Sequence, residues 1–278
     1  MIATPVSREM LLHVVKVLPA APQILAHLGR LLLDMNSGLS DVTDLLRRDA
    51  GLTARIIRVA NSPVYNSAEP SASLIDALAR VGFREVYRLT GFAAVAQIAD
   101  QRLPLYGLSG AQFRENALLT ALVMEALAPT ASVDPRLAYT AGLLRSTGKI
   151  ALDRMLRDDA RIGALGEVAD LAEGEIRAAG LDNCAAAAII LHEWRFHEDM
   201  IAAIRDHYAP KAGSIRLAYL LNLAAGEAER CGHGLHGEAG YWEITPARLA
   251  AAGVGREELR QATKRASVSF EALRAVVA

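Results

Sequence analysis

The chain has 278 residues and a formal net charge of −1, with hydrophobic residues at 52% and aromatic residues at only 5%. That length suffices for one large core or two small ones, and the balanced charge gives no electrostatic case for nucleic acid or an anionic membrane. Two cysteines are too few for a disulfide framework, and neither a signal peptide nor a run of the roughly 20 apolar residues that span a bilayer is present, so a cytoplasmic chain is expected.

A core poor in aromatics must be built from Ala, Leu, Ile and Val, which favours closely packed helices. Apolar spacing of three and four residues dominates accordingly. Leu25, Leu28, Leu32 and Met35 line one face of a helix after Pro22. Val42, Leu45 and Leu46 mark a short helix opening at Ser40. Leu52, Ile56, Val59 and Ala60 form the buried face of the next helix, which Asn61-Ser62-Pro63 should end by a left-handed turn at Asn61. Ser73 to Asp76 reads as a capping box, and a long helix runs from Phe83 towards Ala99. The break at Leu103-Pro104-Leu105-Tyr106-Gly107 separates two lobes.

Beyond it, Ser109 to Gln112 repeats the capping pattern and opens a helix to Leu127. Asp134-Pro135 is a further helix start. Helical stretches follow at Leu137–Leu144, Ile150–Leu156, Glu173–Ala178, Cys184–Trp194, Met200–Tyr208 and Ile215–Ala228. Cys231 to Trp242 reads as a glycine-rich loop, and short helices are expected after Pro246, around Leu259 and around Leu273. The expected architecture is an all-α, two-lobed helical bundle. Its divisions are an N-terminal lobe over 1–105, a second lobe over 106–212 and a C-terminal helical extension over 213–278 that packs on the second lobe.

Several segments together resemble the HDOD domain: Leu18 to Pro22, Leu45 to Asp49, Leu52-Thr53-Ala54-Arg55-Ile56-Ile57-Arg58-Val59-Ala60-Asn61-Ser62, and Ser73 to Leu78 with Val81-Gly82. Ala141 to Lys149 is similar to the segment that carries the His-Asp pair in the HD metal phosphohydrolases. Gly180-Leu181-Asp182-Asn183, Trp194 and Ala203 to Tyr208 are similar to the later helices of that fold. The resemblance covers roughly 18 to 212 and implies bacterial signal transduction.

It also implies a metal site, held by several imidazoles and carboxylates that polarise phosphate and activate water. At the matching places this sequence has Asn116 for the first histidine, Arg145-Ser146 for the His-Asp pair and Asn183 for the next histidine. His207-Tyr208 stands for a paired His-His, and Ala225 for the late aspartate. A guanidinium is always charged and repels a cation, so no catalytic residue, no metal and no cofactor is expected. Asn116, Arg145, Ser146, Asn183 and His207 are expected to line a degenerate polar pocket. There Asn116 and Asn183 would offer carbonyl oxygens to Arg145, and Asp182 or a bound anion would complete the pairing.

Other constellations are weaker. His192 and His197 are five residues apart, one too many to share a zinc on a helix. Cys231, His233, His236 and Glu238 cluster in the glycine-rich loop without a standard metal spacing. Thr147-Gly148-Lys149 is no phosphate loop, and Trp194 reads as core. Arg47, Arg48, Arg55 and Arg58 lie opposite the apolar stripes, as a solvated surface or as a face for a protein partner. The reading is a non-enzymatic regulatory module acting through protein contacts, linked to cyclic-di-GMP or two-component signalling. The alternatives are a divergent metal phosphohydrolase of nucleotides or cyclic dinucleotides, and a small-anion or nucleotide sensor built on the degenerate pocket.

Overall fold

The computed structural model of the chain describes residues 6–17, 21–32, 38–62, 70–71, 73–98, 102–159 and 162–277. Among them regular structure is helical, apart from one antiparallel bridge between Leu103 and Leu108. The first elements are α1 (Arg8–Val17), α2 (Ala21–Leu31), α3 (Leu39–Leu46), α4 (Ala50–Ala60) and α5 (Leu74–Ile98), before a 3-10 turn at Pro104–Tyr106. The second lobe contains α6 (Gly110–Leu127), α7 (Pro135–Leu144), α8 (Thr147–Leu156), α9 (Leu171–Ala179), α10 (Asn183–Glu193) and α11 (Glu198–Asp206). It is followed by α12 (Arg216–Arg230), α13 (Pro246–Ala252) and α14 (Arg256–Val277). No described helix is long and apolar enough to cross a membrane.

The starts are set by caps. Ser109 Oγ accepts from Gln112 N while the Gln112 side chain accepts from Ser109 N, so α6 opens with the reciprocal box expected of it. Asp134 caps α7, accepting from the amides of Arg136 and Leu137 ahead of Pro135. At α5, Asp76 N donates to Ser73 Oγ and the Ser73 hydroxyl donates to Asp76 at 2.6 Å. α3 begins two residues earlier than expected, because Asp41 reaches back to the Gly38 amide and makes Gly38 the boundary instead of Ser40.

Two expectations are corrected. Asn61 does not take a left-handed turn: its φ is −93°. Its amide instead clasps the returning chain, accepting from Ser71 N at 2.6 Å and donating to Ser71 O at 3.0 Å. The expected separate tail helices around Leu259 and Leu273 are one helix, α14. Leu259, Ala262, Ala266, Phe270 and Leu273 form an unbroken buried stripe, and the Thr263 and Ser267 hydroxyls bond back to carbonyls four residues earlier. The capping box at Ser73 opens α5 at Leu74 as expected, and non-helical backbone at Gly82 (φ 78°, ψ 160°) divides it just ahead of the long helical stretch expected from Phe83. Met35, Pro63, Ala99 and the Leu18-Pro19-Ala20 start lie outside the described residues.

α2, α3 and α4 pack on α5, which also meets α6 and α7 and so joins the lobes. α6 lies at the centre of the second lobe, against α7, α12 and α14. α1 lies against α8 and α10, where Val6 N donates to Ala179 O at 2.7 Å, so the start of the chain is sewn to the second lobe. Buried side chains from both lobes form one continuous apolar cluster.

The pairing that matters most for the site is α8 on α10. Gly148 lets the two backbones touch: a β-carbon there would lie 1.9 Å from Asn183 O and 2.8 Å from Ala187 N. Cys184, Ala186 and Ala187 on α10 are fully buried on that side. Gly148→Ala is expected to destabilise the protein by about 3 kcal/mol or more in urea unfolding, since neither backbone can move aside. Gly163→Ala, with nothing within 4 Å of its β-carbon, should change stability by less than about 0.5 kcal/mol. Equal effects would show that the α8–α10 approach is looser than this geometry.

Candidate functional site

The chain between α7 and α8 enters the interior. Leu143 and Leu144 are buried, and the turn that follows carries Arg145 and Ser146 inward with them, to 1% and 3% exposure. Asn116 projects from α6, Lys149 from α8, Glu175 from α9 and Asn183 from the first turn of α10. His207 and Tyr208 follow α11. All of these side chains are buried.

The last member comes from the glycine-rich loop. Gly237 takes a left-handed φ of +81° beside Leu171, a turn that few other residues adopt, and Glu238 next to it is fully buried. Its carboxylate meets Arg145 Nη2 at 2.8 Å through one oxygen. The other oxygen accepts from Tyr208 OH at 2.8 Å and lies 3.2 Å from Lys149 Nζ. Arg145 Nη2 also donates to Asn116 Oδ1 at 2.6 Å, and Nη1 lies 3.5 Å from His207 Nε2. Because His207 Nδ1 is 2.7 Å from Ile204 O, its proton belongs on Nδ1 and Nε2 faces Arg145 as an acceptor.

A second carboxylate sits on the far side of Lys149. Glu175 accepts from Tyr106 OH at 2.8 Å and from the amide N and side chain of Asn183 at 2.8 and 2.9 Å, with Lys149 Nζ at 4.0 Å. Aromatic rings close the walls: Arg145 lies over Trp242 and Lys149 over Tyr106. The site is thus a buried lattice in which two cations face two carboxylates.

The electrostatics follow from this packing. Burial opposes ionisation of Glu238, but the charges of Arg145 and Lys149 outweigh it and hold the carboxyl at about 2. Burial together with the Arg145 charge depresses His207 to about 3, so the ring stays neutral. Burial pushes Glu175 up despite Lys149 and Asn183. Burial also raises Tyr106, Tyr208 and the Cys184 thiol far above their ordinary values, so none of them is a ready base or nucleophile.

Of the five residues expected to line a polar pocket, Asn116, Arg145 and His207 come together. Asn183 does not offer its carbonyl to Arg145; it turns to Glu175 and Tyr208, and its Oδ1 has no hydrogen-bond partner among the described residues. Ser146 is buried beside them with its hydroxyl likewise unpartnered. Asp182 does not complete the pairing either, because it caps α10 through Ala185 N. Glu238, Lys149, Glu175 and Tyr106 were missed as site residues. A signal existed for three of them: a buried arginine demands a carboxylate, Lys149 lies four residues beyond it, and Glu175 shares the buried face of α9 with Leu171 and Ala179.

The loop cluster does not converge on a metal. Cys231 is exposed, His233 pairs with Glu115 at 3.2 Å and Glu238 points inward. No group of His, Cys, Asp and Glu among the described residues is arranged to hold a metal ion. His197 caps α11 and His192 is exposed, and Trp194 is core. On the first lobe, Arg47, Arg48 and Arg58 are exposed and Arg55 is half-buried, with Arg47 3.6 Å from Asp44.

The HDOD domain model matches residues 18–210, well over half of the chain. The chain belongs to the HDOD domain family. No curated protein matches it. Among solved structures, an HDOD domain protein of unknown function from Geobacter sulfurreducens superposes with a TM-score of 0.68 at 21% identity, over 97% of this chain and 96% of that one. A candidate phosphohydrolase from Shewanella amazonensis SB2B gives 0.63 at 23%, over 93% of each chain. A candidate signal transduction protein from Marinobacter aquaeolei VT8 gives 0.69 at 21%, over 93% of this chain and 58% of that one. At these identities the likeness establishes the fold. HDOD domains are related to the HD phosphohydrolases, and the residues at the matching places here do not fit a metal. A guanidinium and an ammonium occupy the centre, and their charges repel a cation.

The network makes this HDOD domain acid-sensitive in a defined window. A histidine whose folded value lies near 3, below its ordinary 6.5, stabilises the fold fully above 6.5 and loses that contribution as pH falls towards 3. Glu238, held near 2 against an ordinary 4.5, adds a second loss below 4.5. His207→Gln is expected to flatten the stability-against-pH curve between pH 6 and 4.5 by up to about 1.4 kcal/mol per pH unit. An unchanged slope in unfolding titrations would show that the fold does not depress the His207 pKa.

Proposed function

We propose that this HDOD domain is a non-enzymatic regulatory module that acts in the cytoplasm of a bacterium by contacting protein partners in signal transduction. The observation that carries the reading is the Arg145–Glu238 pair, both side chains 1% exposed or less, with Arg145-Ser146 standing where the resemblance implies the metal-binding His-Asp pair. Catalysis of the HD kind needs a divalent cation to polarise phosphate and activate water. Here the centre presents two positive charges and spends its carboxylate on them. The carboxylate of Glu238 also takes the position an anion would need beside Arg145, which argues against the sensor reading.

Without a reaction, output has to pass through surfaces. Arg47 and Arg48 in the turn after α3, with Arg55 and Arg58 on α4, offer a basic face for an acidic protein partner. Two measurements test the function. With Mn, Fe or Zn added, the purified chain should turn over neither a cyclic dinucleotide nor p-nitrophenyl phosphate; metal-dependent turnover abolished by His207→Ala would overturn the reading. Arg47→Glu with Arg58→Glu should remove capture of the native partner while changing stability by less than about 0.5 kcal/mol. Capture that survives the double reversal would remove this face from the account.

A further inference from the structure

Far from the buried network, a cleft of about 330 Å³ opens between α2 of the first lobe and α7 and α11 of the second, over Tyr87 of α5. Its floor is apolar, built from Ala26, Leu137, Phe196 and Met200. The polar atoms in the floor are satisfied: Tyr87 OH and Thr140 Oγ1 bond each other at 2.7 Å. The rim is cationic, with Arg30, Arg136 and Arg195 against one lining carboxylate, Asp134. That carboxylate is already spent on the Arg136 side chain and on the first amides of α7. The nearby acids Glu198 and Asp199 lie 3.9 and 3.6 Å from His192 and His197. Among the lining residues themselves, three guanidiniums stand against that one carboxylate.

Two further observations point the same way. Arg195 occupies the left-handed position that ends α10, with φ +59°, where Phe196 N returns to Leu191 O and Arg195 N to His192 O. Glycine is the usual residue at that position, and an arginine there adopts a disfavoured backbone conformation. It nevertheless places an exposed guanidinium at the rim, and its carbonyl receives Arg30 Nη1 at 3.4 Å. On the same helix as Arg30, burial and the charges of Arg30 and Arg48 lower the pKa of His27, so a positive field extends along α2.

We propose that this cleft binds a small amphipathic anion, an apolar body carrying one carboxylate, sulfonate or phosphate, that bridges the two lobes. The apolar part would displace water from Leu137, Phe196 and Met200, and the acid group would sit between Arg30 and Arg195. A ligand held this way touches α2, α7 and α11 at once and stabilises one arrangement of the lobes by mass action. This site is independent of the non-enzymatic reading above and of the Arg145 network.

The test uses the full chain with 8-anilinonaphthalene-1-sulfonate as a fluorescent amphipathic anion. Saturable binding is expected, displaced by decanoate but not by decanol. Arg30→Gln combined with Arg195→Gly should weaken binding about tenfold or more. Melting should not worsen, because glycine relieves the left-handed strain at 195. Leu137→Trp should fill the floor and abolish binding. Three results would each overturn the proposal: no saturable binding, displacement by decanol as effective as by decanoate, or unchanged affinity in the arginine double variant. Should the tryptophan variant fail to fold, the double variant and the decanol comparison still decide.

Discussion

The guanidinium of Arg145 cannot shed its charge at any pH a protein survives, and it lies almost wholly out of water. An unpaired charge so placed would cost several kcal/mol, more than a fold of ordinary stability could absorb alongside its other costs. The surrounding elements answer that demand from four directions: Asn116 from α6, His207 after α11, Trp242 over the plane of the group, and Glu238 from the loop after α12. The loop from Cys231 to Trp242 therefore has a role that its composition conceals. It delivers a carboxylate to the interior and is tied down on the way, with Asn116 donating to His233 O and Asn222 to Tyr241 O.

Adding Lys149 changes what the cluster can do. One carboxylate between two cations is held ionised, and the second, Glu175, stands at the lysine's other side with Tyr106 and Asn183 around it. A lattice of this kind specifies one arrangement of α6, α8, α9, α10 and the 231–242 loop, because each partner removed leaves another buried charge exposed to the low dielectric. Metal-assisted hydrolysis of the HD kind needs an open coordination position and room for a phosphate, which is the contrast on which the proposed non-enzymatic role rests. Where the family resemblance implies metal ligands, Asn116, Arg145 and His207 are instead part of this internal cross-link.

Much of the fold was legible from caps and periodicity. Ser109-Gln112 and Asp134-Pro135 act locally, so their reading depended on nothing distant. The merger of α14 was missed because Thr263, Ser267 and neighbouring polar residues interrupt the apolar pattern, and only the back-bonded hydroxyls reveal that the helix continues. At the site, the family resemblance located Asn116, Arg145 and His207, but sequence spacing carries no information on which acid crosses 93 positions to reach Arg145. Asp182 was the nearer guess. Its position at the start of α10 gave it a local task, capping Ala185, that outranks a distant one. Asn183 turned away for a similar reason: the close α8–α10 packing at Gly148 places it beside Glu175.

The central claim is that Arg145 and Glu238 form one coupled unit that holds the second lobe together without metal. A double-mutant cycle with Arg145→Met and Glu238→Gln, read by urea unfolding at neutral pH, tests it most directly. Each single substitution is expected to destabilise the chain by about 3 kcal/mol or more, because it strands the other's charge or hydrogen-bonding groups. The double variant should lose less than the sum of the two by about 2 kcal/mol. Losses that add to within about 0.5 kcal/mol would contradict the account, since residues that do not depend on each other behave in that way.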